Sequence, residues 1–154
     1  MLTFDSIHGI VDTENKLYTN LKNVYKIKLI FEIRKVGKMK LGFIGTGNMA
    51  SAIMGGIIKK AIIPAEEIIG ADLFAPGRER VQKQFGIHVT DSNKEVVEKA
   101  EVIILSVKPQ FYESVINEIK DDIKKDQIVI TIAPGKTLAW LSEKFGKDVK
   151  LVRT

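Results

Sequence analysis

The sequence contains no cysteine, which excludes disulfides, thiolate metal sites and a cysteine nucleophile together. Its two histidines, His8 and His88, are far apart in the chain and do not suggest a shared metal. No apolar run approaches the roughly 18 residues that a membrane span needs. The amino terminus, Met-Leu-Thr-Phe-Asp, lacks the basic stretch and apolar block of a secretory signal. Neither a Ser-His-Asp set nor a pair of catalytic carboxylates stands out. These absences read as a soluble, cytoplasmic protein with no metal and no membrane partner.

What remains is ordinary globular material. In 154 residues, 45% apolar and 28% charged, there is room for one packed domain and a tail, not for a complete two-domain enzyme. The net charge of +5 divides into +3 over residues 1–38 (seven Lys/Arg, four Asp/Glu) and +2 over 39–154 (seventeen against fifteen). In the larger part the two signs are mixed along the helices and form no basic stripe, which argues against nucleic acid as a partner.

Residues 1–38 are rich in Asn, Thr, Lys and Tyr. Ile27, Leu29, Phe31 and Ile33 alternate there in a stretch that reads equally as a strand, a short helix or an unstructured leader. From Met39 onward, apolar strand-like runs alternate with helix-like segments, the pattern of βαβ units and a parallel sheet. The expected strands are 40–44, 68–72, 88–90, 102–107, 128–132 and 149–153. The expected helices are 48–60, 78–85, 94–99, 111–120 and 137–145, with Tyr112, Val115 and Ile119 on one face of the fourth. The fold expected over 39–154 is α/β, a single Rossmann-like domain with a doubly wound parallel sheet in the order 3-2-1-4-5-6.

The sharpest motif runs from Gly42 to Ala50, a strand entering a glycine turn of the form G-x-G-x-x-A and then a helix. Gly45 permits the tight turn, Gly47 lets the backbone approach a pyrophosphate, and Ala50 lets the helix lie close to the strand. The helix then presents its free amide groups to the phosphates. Asp72 falls twenty-two residues after Ala50, where an acid bonds the ribose 2′-hydroxyl of NAD. Arg78 and Arg80 follow, suited to the 2′-phosphate of NADP, so the two signals conflict. An alternative makes Asp72 a turn cap and the arginines a solvated helix face. Val102–Pro109 reads as a buried strand ending at the crevice, so Ser106 and Lys108 are candidates to touch the nicotinamide half. A strand that simply ends there, with Lys108 in water, is the competing reading. Ala133-Pro134-Gly135 has the same placement and the same ambiguity. Asn93 reads as a helix cap.

Four segments in order and spacing, Gly42–Ala50, Asn93 within Thr90–Val97, Ser106-Val107-Lys108-Pro109-Gln110 and Ile132–Gly135, resemble the N-terminal domain of pyrroline-5-carboxylate reductase. The resemblance covers Met39–Thr154, while residues 1–38 match nothing in the family, and Met39 matches its usual first residue. It implies NADP, or NAD, as cofactor and reduction of 1-pyrroline-5-carboxylate to L-proline, the last step of proline synthesis. It also implies cofactor contacts at Ile44, Gly45, Thr46, Gly47, Asn48 and Met49, at Asn93 near the adenosine ribose, and at Ser106, Val107, Lys108 and Pro109 beside the nicotinamide. Asp72 and Pro134 follow as weaker contacts. The family's helical C-terminal domain, which dimerises and completes the imine site, lies outside these 154 residues. The resemblance therefore implies a homo-oligomer for the intact enzyme, names no catalytic residue here, and leads us to expect little turnover from this chain alone. Two departures are Ser106 and Pro134, where the family often has Ala. A β-hydroxyacid or prephenate type of dehydrogenase, and a cofactor-binding module without chemistry, are the alternatives.

Overall fold

In a computed structural model, residues 41–146 and 148–154 are described. The alternating stretch at 27–33, the rest of 1–38 and Lys40 lie outside the described residues. Six strands form one parallel sheet: β1 (Leu41–Ile44), β2 (Ile68–Ala71), β3 (His88–Thr90), β4 (Val102–Leu105), β5 (Ile128–Thr131) and β6 (Lys150–Arg153). Their order is β3-β2-β1-β4-β5-β6, as the doubly wound reading expects. β1 lies between β2 and β4, with Leu41 opposite Ile68 and Val102, and Ile44 opposite Ala71 and Leu105.

Five α-helices connect the strands: α1 (Asn48–Lys59), α2 (Ala75–Phe85), α3 (Asn93–Lys99), α4 (Tyr112–Ile119) and α5 (Leu138–Phe145). Because β1 and β4 are buried on both faces, their side chains feed two cores. Leu41, Phe43, Val102 and Ile104 pack on one face with Ala50, Ile53, Met54 and Ile57 of α1 and Val81 of α2. Ile44, Ile103 and Leu105 pack on the other with Val96 and Val97 of α3, Tyr112, Val115, Ile116 and Ile119 of α4, and Leu141 and Phe145 of α5. The spacing of the α1 and α4 residues is that of one helical face. No helix among the described residues is long and apolar enough to cross a membrane.

The differences from expectation lie at element ends. Asp72, Ser106, Val107 and Ile132 leave the ladders, so β2, β4 and β5 end one or two residues early. β6 begins at Lys150, one residue late, and α1 stops at Lys59. α2 starts at Ala75, because Pro76 fits a first turn where no N–H partner is needed. Asn93 is not the cap of α3 but its first residue; Ser92 is the cap, its Oγ accepting from the Glu95 N–H at 3.2 Å. A 3₁₀ turn over Pro109–Phe111 leads into α4 and takes Phe111 out of it, and α5 opens after Thr137.

Tyr112 links the two strands on the far side of β1. Its phenol donates to the Leu105 carbonyl at 2.7 Å and accepts from the Thr131 hydroxyl at 3.1 Å. Burial pushes that phenol above its ordinary value of 10.0. A raised value means that the unfolded chain ionises first, so the contribution to stability is complete below about pH 10 and is lost as pH rises through the folded value. We expect Tyr112→Phe to lower the unfolding free energy by about 1 kcal/mol at neutral pH. It should also flatten the alkaline fall in stability, measured by denaturant melts between about pH 8 and pH 11. An unchanged alkaline slope would assign that fall to other groups.

Candidate functional site

All six strands run the same way, so their carboxyl ends share one edge, and between β1 and β4 the chain reverses the direction in which strands are added. In open parallel sheets that switch point is where ligands bind. The glycine turn occupies it. Gly45 has φ +97°, a left-handed conformation natural to glycine. A Cβ there would stand 2.8 Å from the Ser106 carbonyl carbon and oxygen and 2.9 Å from the Val107 nitrogen. The Gly45 N–H donates to the Ala71 carbonyl at 2.7 Å, and the Ser106 N–H to the Ile44 carbonyl at 2.9 Å, so the turn is bonded to both neighbours of β1. The Ser106 hydroxyl adds a tie that alanine could not make, lying 2.7 Å from the Gly45 carbonyl and 3.1 Å from that of Ile44.

Gly47 differs in kind from Gly45. Nothing in the protein lies within 4 Å of where its Cβ would be, and its φ of −67° suits any residue. No packing therefore requires glycine there; the missing side chain leaves an open approach to the backbone. Gly47, Asn48 and Met49 are exposed, between buried Thr46 and buried Ala50. The Ser51 N–H is the first to bond back into α1, to the Gly47 carbonyl at 2.9 Å. No side chain caps the amino end of α1 and no acidic residue stands in its first turn, whereas Ser92 and Thr137 cap α3 and α5. An uncapped first turn with its dipole end outward favours an anion, so the residues present fit a dinucleotide pyrophosphate.

Asp72 does not project a free carboxylate at the end of β2. Its Oδ2 accepts from the Thr46 N–H at 2.8 Å and from the Thr46 hydroxyl at 3.0 Å, and its Oδ1 from the Phe74 N–H at 3.0 Å. The turn-capping alternative is what the geometry contains, with a brace on Thr46 added. Arg78 and Arg80 are not a detached helix face. Arg78 Nη1 donates to the Asp72 carbonyl at 2.5 Å, and Arg80 Nη2 to the Thr46 carbonyl at 2.9 Å and the Ser51 hydroxyl at 3.3 Å.

Ile44–Met49, Asp72, Ser106 and Val107 are thus gathered around one turn. Lys108 and Pro109 are exposed just past β4, and Pro134 is exposed beyond β5 on the same edge of the sheet. Asn93 is turned elsewhere: its amide donates to Glu118 of α4 at 2.9 Å. Ser51 escaped sequence reasoning altogether; its position four residues after Gly47, where a hydroxyl reaches back to a helical carbonyl, is the one local signal for it.

The two glycines separate by stability. Gly45→Ala should cost several kcal/mol, since both the backbone conformation and the Ser106 contact oppose it. Gly47→Ala should cost about 1 kcal/mol or less, the loss of a tolerated cap residue. Equal costs in urea melts would contradict this division.

Comparisons with known proteins bear on the family and the fold. A family model described as NADP oxidoreductase coenzyme F420-dependent matches residues 40–135. The pyrroline-5-carboxylate reductase of Methanosarcina acetivorans is 37% identical over 114 residues, 74% of this chain and 42% of its own length. Among solved structures, the pyrroline-5-carboxylate reductase of Coxiella burnetii superposes with a TM-score of 0.71 at 30% identity, over 76% of this chain and 43% of that one. The Plasmodium falciparum pyrroline carboxylate reductase with NADP bound superposes at 0.66 and 30% identity, over 75% of this chain and 41% of that one. The resemblance carried by the four motifs is borne out, and the chain spans about two-fifths of the length of the relatives it matches.

Proposed function

From the premise that the chain belongs to the NADP oxidoreductase coenzyme F420-dependent family, we propose that it is the dinucleotide-holding part of a pyrroline-5-carboxylate reductase. One observation carries the reading more than any other: the open approach at Gly47, in front of the uncapped amino end of α1, at the switch point of the sheet. When bound, NADPH, or NADH in its place, supplies the hydride that reduces the C=N bond of 1-pyrroline-5-carboxylate to give L-proline.

The chain's own residues bind and orient. Gly45 and Ser106 hold the turn flat against β4, so that Gly47, Asn48 and Met49 face the pyrophosphate with their backbone. Val107, Lys108 and Pro109 form the wall beside the nicotinamide, with Pro134 on the next loop. Asn93 would serve the adenosine end by exchanging its Glu118 partner for the cofactor. Ile44 and Thr46 fix the floor of the turn, and Asp72 contributes through Thr46. Positioning of this sort supplies rate by removing translational freedom, and calls for no nucleophile or metal. The cofactor-binding unit covers 39–154, with 1–38 as a leader, in a cytoplasmic homo-oligomer acting on a small molecule.

Fluorescence titration with NADPH and NADH tests the cofactor reading. Saturable binding is expected for the wild type, and a loss of about tenfold or more for Gly47→Val, whose side chain would fill the approach. Matching titrations for the two proteins would show that the turn is only structural. The substrate is tested separately, by following NADPH oxidation when 1-pyrroline-5-carboxylate is added to the whole gene product; no oxidation with that imine, against turnover of a 3-hydroxy acid or prephenate, would move the protein to another reductase class.

A further inference from the structure

The exposed stretch of the glycine turn ends on a thioether. Met49 is 42% exposed, whereas Met54, five residues on in the same helix, is wholly buried in the core that holds Leu41, Phe43 and Ile53. The other two methionines of the sequence, Met1 and Met39, lie outside the described residues. A peroxide in solution reaches the Met49 side chain directly, but meets close-packed neighbours before that of Met54.

The place of Met49 gives its exposure a consequence. Asn48 and Met49 open α1, so Met49 stands in a first turn whose N–H groups have no acceptor within the helix. No side chain caps that end and no acid stands in the turn. A thioether is a weak acceptor and leaves those donors to a ligand. A sulfoxide is polar and carries a partially negative oxygen. In a first turn such a group is drawn to the same N–H groups, and to the same end of the helix dipole, that a pyrophosphate uses.

We propose that Met49 is a modification site: hydrogen peroxide converts its thioether to the sulfoxide, and the sulfoxide weakens dinucleotide binding by competing for the first-turn donors of α1. In that step the sulfur attacks one peroxide oxygen, and the O–O bond breaks as the S–O bond forms. Sulfur is oxidised by two electrons, the peroxide is reduced to one water molecule, and the protein neither gains nor loses a proton. Methionine sulfoxide reductases reverse the change, which makes it a switch as well as a lesion. A bound dinucleotide covers the same turn, so cofactor binding and oxidation of Met49 oppose each other. The inference rests on the reading of the glycine turn as a dinucleotide site, and not on the identity of the reduced substrate.

The test exposes the protein to hydrogen peroxide, alone and saturated with NADP⁺, maps the added oxygen by peptide mass spectrometry, and then titrates with NADPH. Met49 should be oxidised at least about tenfold faster than Met54, and NADP⁺ should slow Met49 by about fivefold or more. Oxidised wild type should bind NADPH about three- to tenfold more weakly than untreated protein, and treatment with both sulfoxide reductases should restore the affinity. Met49→Leu, compared with its own untreated state, should change by less than about twofold on the same treatment, which separates Met49 from Met1 and Met39. The urea midpoint of the oxidised wild type should stay where it was, since Met49 lies outside the core. The proposal is overturned if Met49 reacts no faster than Met54, if NADP⁺ gives no protection, or if affinity survives full oxidation of Met49. Equal losses in wild type and Met49→Leu, or a lowered urea midpoint that makes the loss one of fold, overturn it too. In each of these cases binding by the untreated protein stands, and with it the dinucleotide reading. If the untreated protein binds no NADPH, that reading falls and the proposal falls with it.

Discussion

The backbone of the glycine turn lies directly on the backbone leaving β4, and that contact admits no side chain. With a would-be Cβ 2.8 Å from the Ser106 carbonyl, the turn sits as low on the sheet as a peptide can. Two further features depend on this. The Ser106 N–H reaches Ile44, and the Gly45 N–H reaches Ala71, so hydrogen bonding continues beyond the strands on both sides of β1. The turn is thereby fixed at both flanks, and α1 leaves the sheet edge with its amino end outward and its Ala50, Ile53, Met54 and Ile57 face buried against Leu41 and Phe43. A pyrophosphate site requires that orientation, and the packing produces it without any ligand.

Around the turn, polar groups divide into two sets according to how they are satisfied. Thr46 is buried and both its N–H and its hydroxyl are used by Asp72; the Ser106 hydroxyl is used by the turn carbonyls. Unpaired, a buried group such as those of Thr46 would cost roughly 1–3 kcal/mol. The second set, the backbone of Gly47, Asn48 and Met49, stays at the surface, where water can satisfy it and a ligand can replace the water. A turn serving only to reverse the chain has no need of the second set. Here the exposed stretch is three residues long, is flanked by buried ones and coincides with the first turn of a helix, which gives it direction as well as accessibility.

Most of this architecture was legible in the sequence because parallel strands buried on both faces read as continuous apolar runs, and Val102–Leu105 and Ile128–Thr131 are such runs. The strand order followed from right-handed crossovers and a central first strand. The ends were less legible. Asp72, Ser106, Val107 and Ile132 continue the strand pattern in composition, yet they leave the ladder just where the edge becomes a site, and periodicity carries no mark of that departure. The sequence suits Asn93 to cap α3, whereas Ser92 holds that place, since either residue has an oxygen suited to the task. Asn93 is occupied instead by Glu118, twenty-five residues away.

Asp72 shows most clearly what spacing alone leaves out. The rule that an acid at the end of the second strand reads the ribose presupposes that the acid is free to do so. In this chain the residue between the two turn glycines is a threonine, and its N–H and hydroxyl both point at the Asp72 carboxylate across a sequence separation of 26 residues. A carboxylate turned outward to a diol would leave the Thr46 N–H and hydroxyl without it in a buried position, at a cost of about 1–3 kcal/mol for each. The internal partner thus competes with any ligand for the acid. What decides the reading of the acid is therefore the residue facing it from the other turn, and that pairing exists only once β1 and β2 have been laid side by side.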